Sequence, residues 1–316
     1  MMFLIRIATA IAVALASHGA YAAGFDGNRQ TVHYRFITAD GVKFFLREAG
    51  DPAKPTIVLL HGNPSSSHMF RDLMPLLATD FHVIAPDYPA HGFSDVPSPA
   101  AFAYTFDHLS TCIESIVEQL GVKSYSLYMM DFGVPVGFRI AVRHPERIES
   151  LVVQNGIIHG PKQEDADDWL KPFFDRRDPA AEKRLRNSYT TAQITRKYYE
   201  LGAQRLERIS PDAWIADQYV LDQPGVRDAR VELMYDYRNN VTAWPSWQAY
   251  LREKQPPTLI VWGRQDPIFS VDQALAYLDE LPNAELHLLD GGHFMLEEHA
   301  ALVAGLIREF HRRNVH

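Results

Sequence analysis

Along this chain, runs dense in apolar residues alternate with longer stretches whose apolar positions recur at helical spacing. VHYRFIT (32–38) and VKFFLRE (42–48) read as strands joined by a turn at Ala39-Asp40-Gly41. TIVLLHG (56–62) and FHVIAPD (81–87) are continuous apolar runs, the pattern of parallel strands buried on both faces. SYSLYMMD (124–131), ESLVVQN (149–155), PTLIVWG (257–263) and AELHLLD (284–290) read as further strands. Helical spacing occupies 69–78, 106–120, 132–143, 271–281 and 300–310. This alternation predicts a mainly parallel eight-stranded sheet with helices on both faces. From 156 to 245 the alternation stops. That segment is rich in charge, Tyr and Trp and reads as a helical cap inserted between two strands, leaving 23–155 and 246–316 as the core.

The N-terminus follows a different logic. Arg6 precedes an apolar run over 7–16, then Ser17-His18-Gly19 and the small-x-small site Ala20-Tyr21-Ala22. This is the layout of a signal peptide, and its apolar run is too short for a stable membrane anchor. Cleavage is expected after Ala22, with a periplasmic or secreted product and no membrane attachment afterwards.

Composition narrows the function. The 316 residues are 47% hydrophobic and 22% charged, which is the profile of an ordinary globular protein and not a disordered one. A net charge of −8 disfavours a nucleic-acid binder, which needs a basic face. The lone cysteine, Cys112, lies in the apolar stretch TCIESIVEQL and reads as a packed core thiol. It excludes an internal disulfide and a zinc site built on paired cysteines. No metal or organic cofactor is expected, and the chain is expected to be a monomer or a homodimer.

In an open parallel sheet, ligand sites form at the carboxyl ends of strands. Those ends carry His61-Gly62-Asn63-Pro64, then Asp131 followed by Phe132-Gly133, then Asp266, and finally Asp290-Gly291-Gly292-His293. Asp131, Asp266 and His293 therefore stand in the chain order nucleophile, acid, base. Through MMDFGVPVG, HGNPSSS and APDYPAHGFSD the chain resembles the α/β-hydrolase superfamily, in the branch of epoxide hydrolases and haloalkane dehalogenases. The resemblance covers about 32 to 312 and is weakest in the cap.

An aspartate at the elbow, where serine hydrolases carry serine, fits attack on a saturated carbon. A serine would leave an ether there, whereas aspartate leaves an ester whose carbonyl an activated water can attack. The nucleophile then needs no base, and His293, held by Asp266, acts on the water. The resemblance implies that the backbone N–H groups of Asn63 and Phe132 form the oxyanion hole. His61 reads as a loop support. The expected substrate is a small apolar epoxide or alkyl halide.

Several positions depart from the family pattern: Met129 stands where serine members have Gly, Ala90 replaces a commoner Gly, and Asn155 is an amide where one dehalogenase group has its acid. Asp266 must then be the acid. Ser126 lies inside its strand, away from the turn. The leaving group decides between the two reactions. Asn63 matches the halide-binding asparagine, but Phe132 stands where dehalogenases carry Trp and has no N–H to offer. A cap tryptophan, Trp169, Trp214 or Trp244, is the candidate substitute. Tyr237-Arg238-Asn239 resembles the second tyrosine motif of epoxide hydrolases, with Tyr198, Tyr199 or Tyr219 as its partner. The balance favours epoxide opening, with dehalogenation as the alternative and a binding protein on the same scaffold as a third reading.

Overall fold

The computed structural model describes residues 31–160, 169–188 and 191–315. The segment expected to direct export, with its expected cleavage after Ala22, lies outside the described residues. Eight strands form one sheet in the order β1-β2-β4-β3-β5-β6-β7-β8. They are β1 (Val32–Ala39), β2 (Val42–Ala49), β3 (Thr56–Leu60), β4 (His82–Pro86), β5 (Tyr125–Met130), β6 (Ile148–Gln154), β7 (Thr258–Gly263) and β8 (Glu285–Leu289). β1 and β2 pair antiparallel and β2 meets β4 antiparallel, while β3 to β8 run parallel. The expected mainly parallel sheet is present.

The continuous apolar runs are explained by two cores, one on each face. Alternate residues of a strand point to opposite faces. Val58 and Leu60 of β3, Leu127 and Met129 of β5, and Ile260 and Trp262 of β7 enter one core. Their neighbours Ile57, Leu59, Tyr128, Met130, Leu259 and Val261 enter the other. Helices α2 (Phe106–Gln119), α3 (Gly133–Arg143) and α10 (Val271–Glu280) cover the first face, and α1 (Met74–Leu77) and α11 (Leu296–Asn314) the second. Cys112 is buried in the first core.

Two expected elements differ. The helix expected over 69–78 is a 3-10 turn, Ser67–Phe70, followed by the short α1. Pro75 accounts for the break: it lacks the N–H that a continuous helix needs and fits only a first turn. The closing helix begins at Leu296, earlier than the expected 300, and bends at His299.

Between β6 and β7 lie α4 (Lys171–Arg176), α5 (Pro179–Ser188), α6 (Ala192–Glu200), α7 (Pro211–Leu221), α8 (Val226–Asp236) and α9 (Arg238–Lys254). The boundary drawn at 245 falls inside α9, which continues through Pro245. Polar contacts tie this insertion to the core. Asp236 Oδ2 accepts the Phe106 N–H at 2.9 Å, and Glu298 Oε1 accepts the N–H groups of Gln204 and Arg205 at 3.1 and 2.8 Å.

Candidate active site

β5 ends at Met130, and Asp131 follows at φ +49° before α3 begins. A non-glycine residue in this left-handed region is uncommon, and Asp is among the side chains that tolerate it. Close neighbours make the turn possible. A Cβ on Gly62 would lie 2.5 Å from Asp131 Cβ, and one on Gly133 would lie 2.2 Å from the Leu60 carbonyl oxygen. Glycine at both positions lets the backbone approach this closely.

The turn sets the Asp131 carboxyl among N–H groups. Its Oδ1 accepts the Asn63 N–H at 2.7 Å, and the Phe132 N–H also hydrogen-bonds it. Burial pushes this carboxyl above the usual range, against the charge of His293 and the two N–H donors. On the other side, His293 Nε2 stands 3.8 Å from Asp131 Oδ2. That separation is too long for a hydrogen bond. The Nε2 atom is buried and has no hydrogen-bond partner among the described residues.

The opposite edge of the imidazole is held firmly. Nδ1 of His293 lies 2.8 Å from Asp266 Oδ2, so in the neutral imidazole Nδ1 carries the proton and Nε2 the lone pair. Asp266 is itself fixed: Oδ1 accepts the Ile268 N–H at 2.7 Å and Oδ2 accepts Asn155 Nδ2 at 2.6 Å. Asn155 Oδ1 in turn accepts the Gly263 N–H at 3.0 Å. Burial would raise the Asp266 pKa, but the His293 charge and these donors outweigh it and hold the pKa below the ordinary value. For His293 burial opposes protonation, and the carboxylates of Asp266 and Asp131 overcome it and raise its pKa.

These shifts predict a pH profile. A base whose pKa is raised is protonated until the pH exceeds that value, so activity should rise on a limb above the ordinary histidine range. Asp266→Asn removes the carboxylate that raises it. The limb should move to lower pH while the plateau falls about 10²- to 10⁴-fold, as loss of an orienting carboxylate does. A kcat profile of the two proteins checks this, and an unmoved limb would contradict it.

The structure thus brings Asp131, Asp266 and His293 together, with the Asn63 and Phe132 N–H groups on Asp131. His61 is fully buried, its Nδ1 3.0 Å from the Gly62 carbonyl, and its Nε2 accepts the Tyr88 N–H at 3.1 Å. Burial pushes its pKa down to about 3, so it is a neutral brace between two loops. Ala90 occupies φ +62°, which explains why glycine suits that position. Ser126 is buried inside β5 and shares a 2.7 Å hydrogen bond with Ser150.

Among the aromatic candidates, Tyr237 lies at the junction of α8 and α9. Its ring is 6.0 Å from Phe132 and 5.8 Å from Phe106. Its hydroxyl pKa is raised by burial and by the charge of Asp131. Tyr198 on α6 shows the same two influences. Tyr199 stacks on Phe294 with its hydroxyl donating to Asp217, and Tyr219 is 65% exposed. Trp169 is partly buried under the Arg184 guanidinium, 4.5 Å above its ring, and Trp214 lies beneath Arg196 at 5.3 Å. Trp244 is partly buried against the first core. Sequence reasoning singled out neither the bracing role of Asn155 nor Tyr88, whose buried hydroxyl also senses Asp131. The one signal for Asn155 was its place at a strand end. Among the described residues no group of three or more His, Cys, Asp or Glu is placed to hold a metal ion, and no helix is long and apolar enough to cross a membrane.

An eight-stranded sheet with an acid at a positive-φ elbow and an Asp–His pair at later strand ends defines a hydrolase architecture. The chain belongs to the α/β hydrolase fold family, whose pattern matches residues 55–300. It is 39% identical over 278 residues to an uncharacterized hydrolase of Saccharomyces cerevisiae, covering 86% of this chain and 94% of the yeast protein. It is 29% identical over 297 residues to epoxide hydrolase 4 of Mus musculus, covering 88% and 78% of the two chains. It is 27% identical over 288 residues to a haloalkane dehalogenase of Bradyrhizobium diazoefficiens, covering 82% and 88%. The crystal structure of haloalkane dehalogenase DbeA from Bradyrhizobium elkani shares the fold, with a TM-score of 0.67 at 23% identity over 90% of this chain and 100% of that one.

Proposed function

We propose that this protein hydrolyses small apolar epoxides to diols through an ester of Asp131. The observation that carries this reading is the Asp131 carboxyl itself. Oδ1 rests on the Asn63 N–H while Oδ2 faces His293 Nε2 across 3.8 Å. Oδ2 attacks a ring carbon, the C–O bond breaks, and the departing oxygen takes a proton from a tyrosine hydroxyl. Oδ1 is then the ester carbonyl oxygen, already held by the Asn63 N–H. His293 takes a proton from water, whose oxygen adds to the ester carbon. Charge forms on Oδ1 beside the N–H donors, and collapse breaks the bond between the carboxyl carbon and the substrate oxygen, which takes the proton of the His293 imidazolium and leaves as the diol; the proton of the new Asp131 carboxylic acid restores the tyrosine hydroxyl. Asp266 stabilises the imidazolium. Product release from the protein after export to the periplasm or the medium completes the proposed role.

Tyr198 and Tyr237 support epoxide over halide. They come from different parts of the insertion, pack against opposite cores, and both sense the Asp131 charge. Each hydroxyl is protonated at neutral pH and is therefore a hydrogen-bond donor for the departing oxygen. The alternative, dehalogenation, is favoured by Asn63, which stands at the position of the halide-binding asparagine and whose backbone N–H meets Asp131. A panel of epoxides and bromoalkanes, scored for diol and bromide, separates the two. Tyr237→Phe and Tyr198→Phe should each lower epoxide turnover by about 10- to 10³-fold, as loss of a general acid does, and leave bromide release within about threefold. Equal loss on both substrates would remove the tyrosines from leaving-group protonation.

A further inference from the structure

The insertion places a buried cation against the loop that carries the Asn63 N–H. Arg230, on α8, is 2% exposed. Its Nη1 donates to the Pro64 carbonyl at 2.7 Å and lies 3.4 Å from Asn63 Oδ1, and its Nε donates to the Ala90 carbonyl at 3.1 Å. One guanidinium thus joins the loop after β3, the loop after β4 and the cap. A planar fork with several fixed donors suits this task, and a lysine ammonium does not reproduce it. Because a guanidinium only donates, the contact with Asn63 is to the carbonyl oxygen of its carboxamide.

We infer that Arg230 is a positioning residue for the oxyanion hole, so that the cap sets the geometry of the N–H pair as well as enclosing the substrate. This inference rests on the reading of Asp131 as nucleophile. Three observations carry it. The N–H that Asp131 uses belongs to Asn63, the residue before Pro64, whose carbonyl Arg230 holds. The neighbouring histidines cannot compete as cations: burial and the Arg230 charge keep His91 well below its ordinary pKa, and His61 is neutral. Tyr237 caps the C-terminus of α8, seven residues beyond Arg230. One helix then governs the donor to the leaving group and the donors to the ester.

The two half-reactions depend on these donors differently. In alkylation the carboxylate gives up charge, so a loosened N–H pair costs that step little. In ester hydrolysis charge builds on Oδ1, and the N–H pair must meet it. Arg230→Met should therefore slow ester hydrolysis about 10- to 100-fold and change ester formation less than about threefold, part of the cost of removing an oxyanion donor outright. kcat and KM should fall together, with kcat/KM nearly kept. Arg230→Lys should fall between wild type and Arg230→Met in the same step. It carries the same test if the methionine variant fails to fold.

The experiment is a rapid-quench single turnover with styrene oxide, or with 1-bromobutane if the substrate panel finds bromide release. Mass spectrometry of the Asp131 peptide follows the appearance and decay of the ester. Build-up of ester in the variants, with formation unchanged, supports the inference. Equal slowing of both steps, or no slowing, overturns it while leaving the nucleophile reading intact. A wild-type enzyme that turns over with no ester on Asp131 overturns the nucleophile reading and this inference with it.

Discussion

Asp131→Asn is expected to lower kcat by about 10⁴- to 10⁶-fold, the size of loss seen when a covalent nucleophile is removed. The neutral amide keeps the volume and tolerates the positive φ of the elbow, but it has no carboxylate to attack carbon. The fold should survive. Burial holds the wild-type carboxyl above its usual pKa, which means that ionising it in the native state is unfavourable relative to the unfolded chain. The sign follows: that cost is absent below the unfolded pKa and grows as the pH rises toward the folded one. At pH 8 the variant should therefore melt no lower than wild type. A thermal melt beside a turnover assay checks both halves, and an active Asp131→Asn enzyme would end the proposal.

His293→Gln is the second large effect, and it should split the reaction. The glutamine cannot take a proton from water, so ester hydrolysis should slow by about 10³-fold or more, at the scale of general-base loss. Ester formation needs no base and should continue. The protein should then accumulate as a stable adduct, visible in its intact mass. The mass gained also identifies the substrate class. An epoxide adds all of its atoms, whereas an alkyl halide adds its alkyl group and loses the halide. An unmodified His293→Gln protein that still turns over would remove His293 from the mechanism.

The parts of the site legible in the sequence are those fixed by strand ends. The apolar run of β5 stops at Met130, so Asp131 falls at the carboxyl edge of the sheet, and β7 and β8 place Asp266 and His293 there by the same logic. The parts that were not legible depend on contacts distant in the chain. Asn155 braces Asp266 from 111 residues away, and Arg230 reaches Pro64 across 166. Hydrophobic period carries no record of such pairs. Helix phase hid the choice between neighbouring tyrosines: Thr195 and Tyr199, four apart on α6, face inward, which turns Tyr198 toward another side. The end of the insertion was missed because the mixed polar and aromatic face of α9 gives no change of pattern at 245, and the helix accommodates Pro245.

The central claim, that a carboxylate oxygen of Asp131 becomes part of an ester, is tested most directly by a single turnover in H₂¹⁸O with enzyme in excess over substrate. Water attacks the ester carbon, so the first label should enter the Asp131 carboxyl, and the product should carry unlabelled oxygen from the enzyme. Mass spectrometry of the Asp131 peptide and of the product reads both positions. Label in the product alone, with the Asp131 peptide unchanged, would mean that water attacks the substrate directly, and the ester mechanism would be wrong.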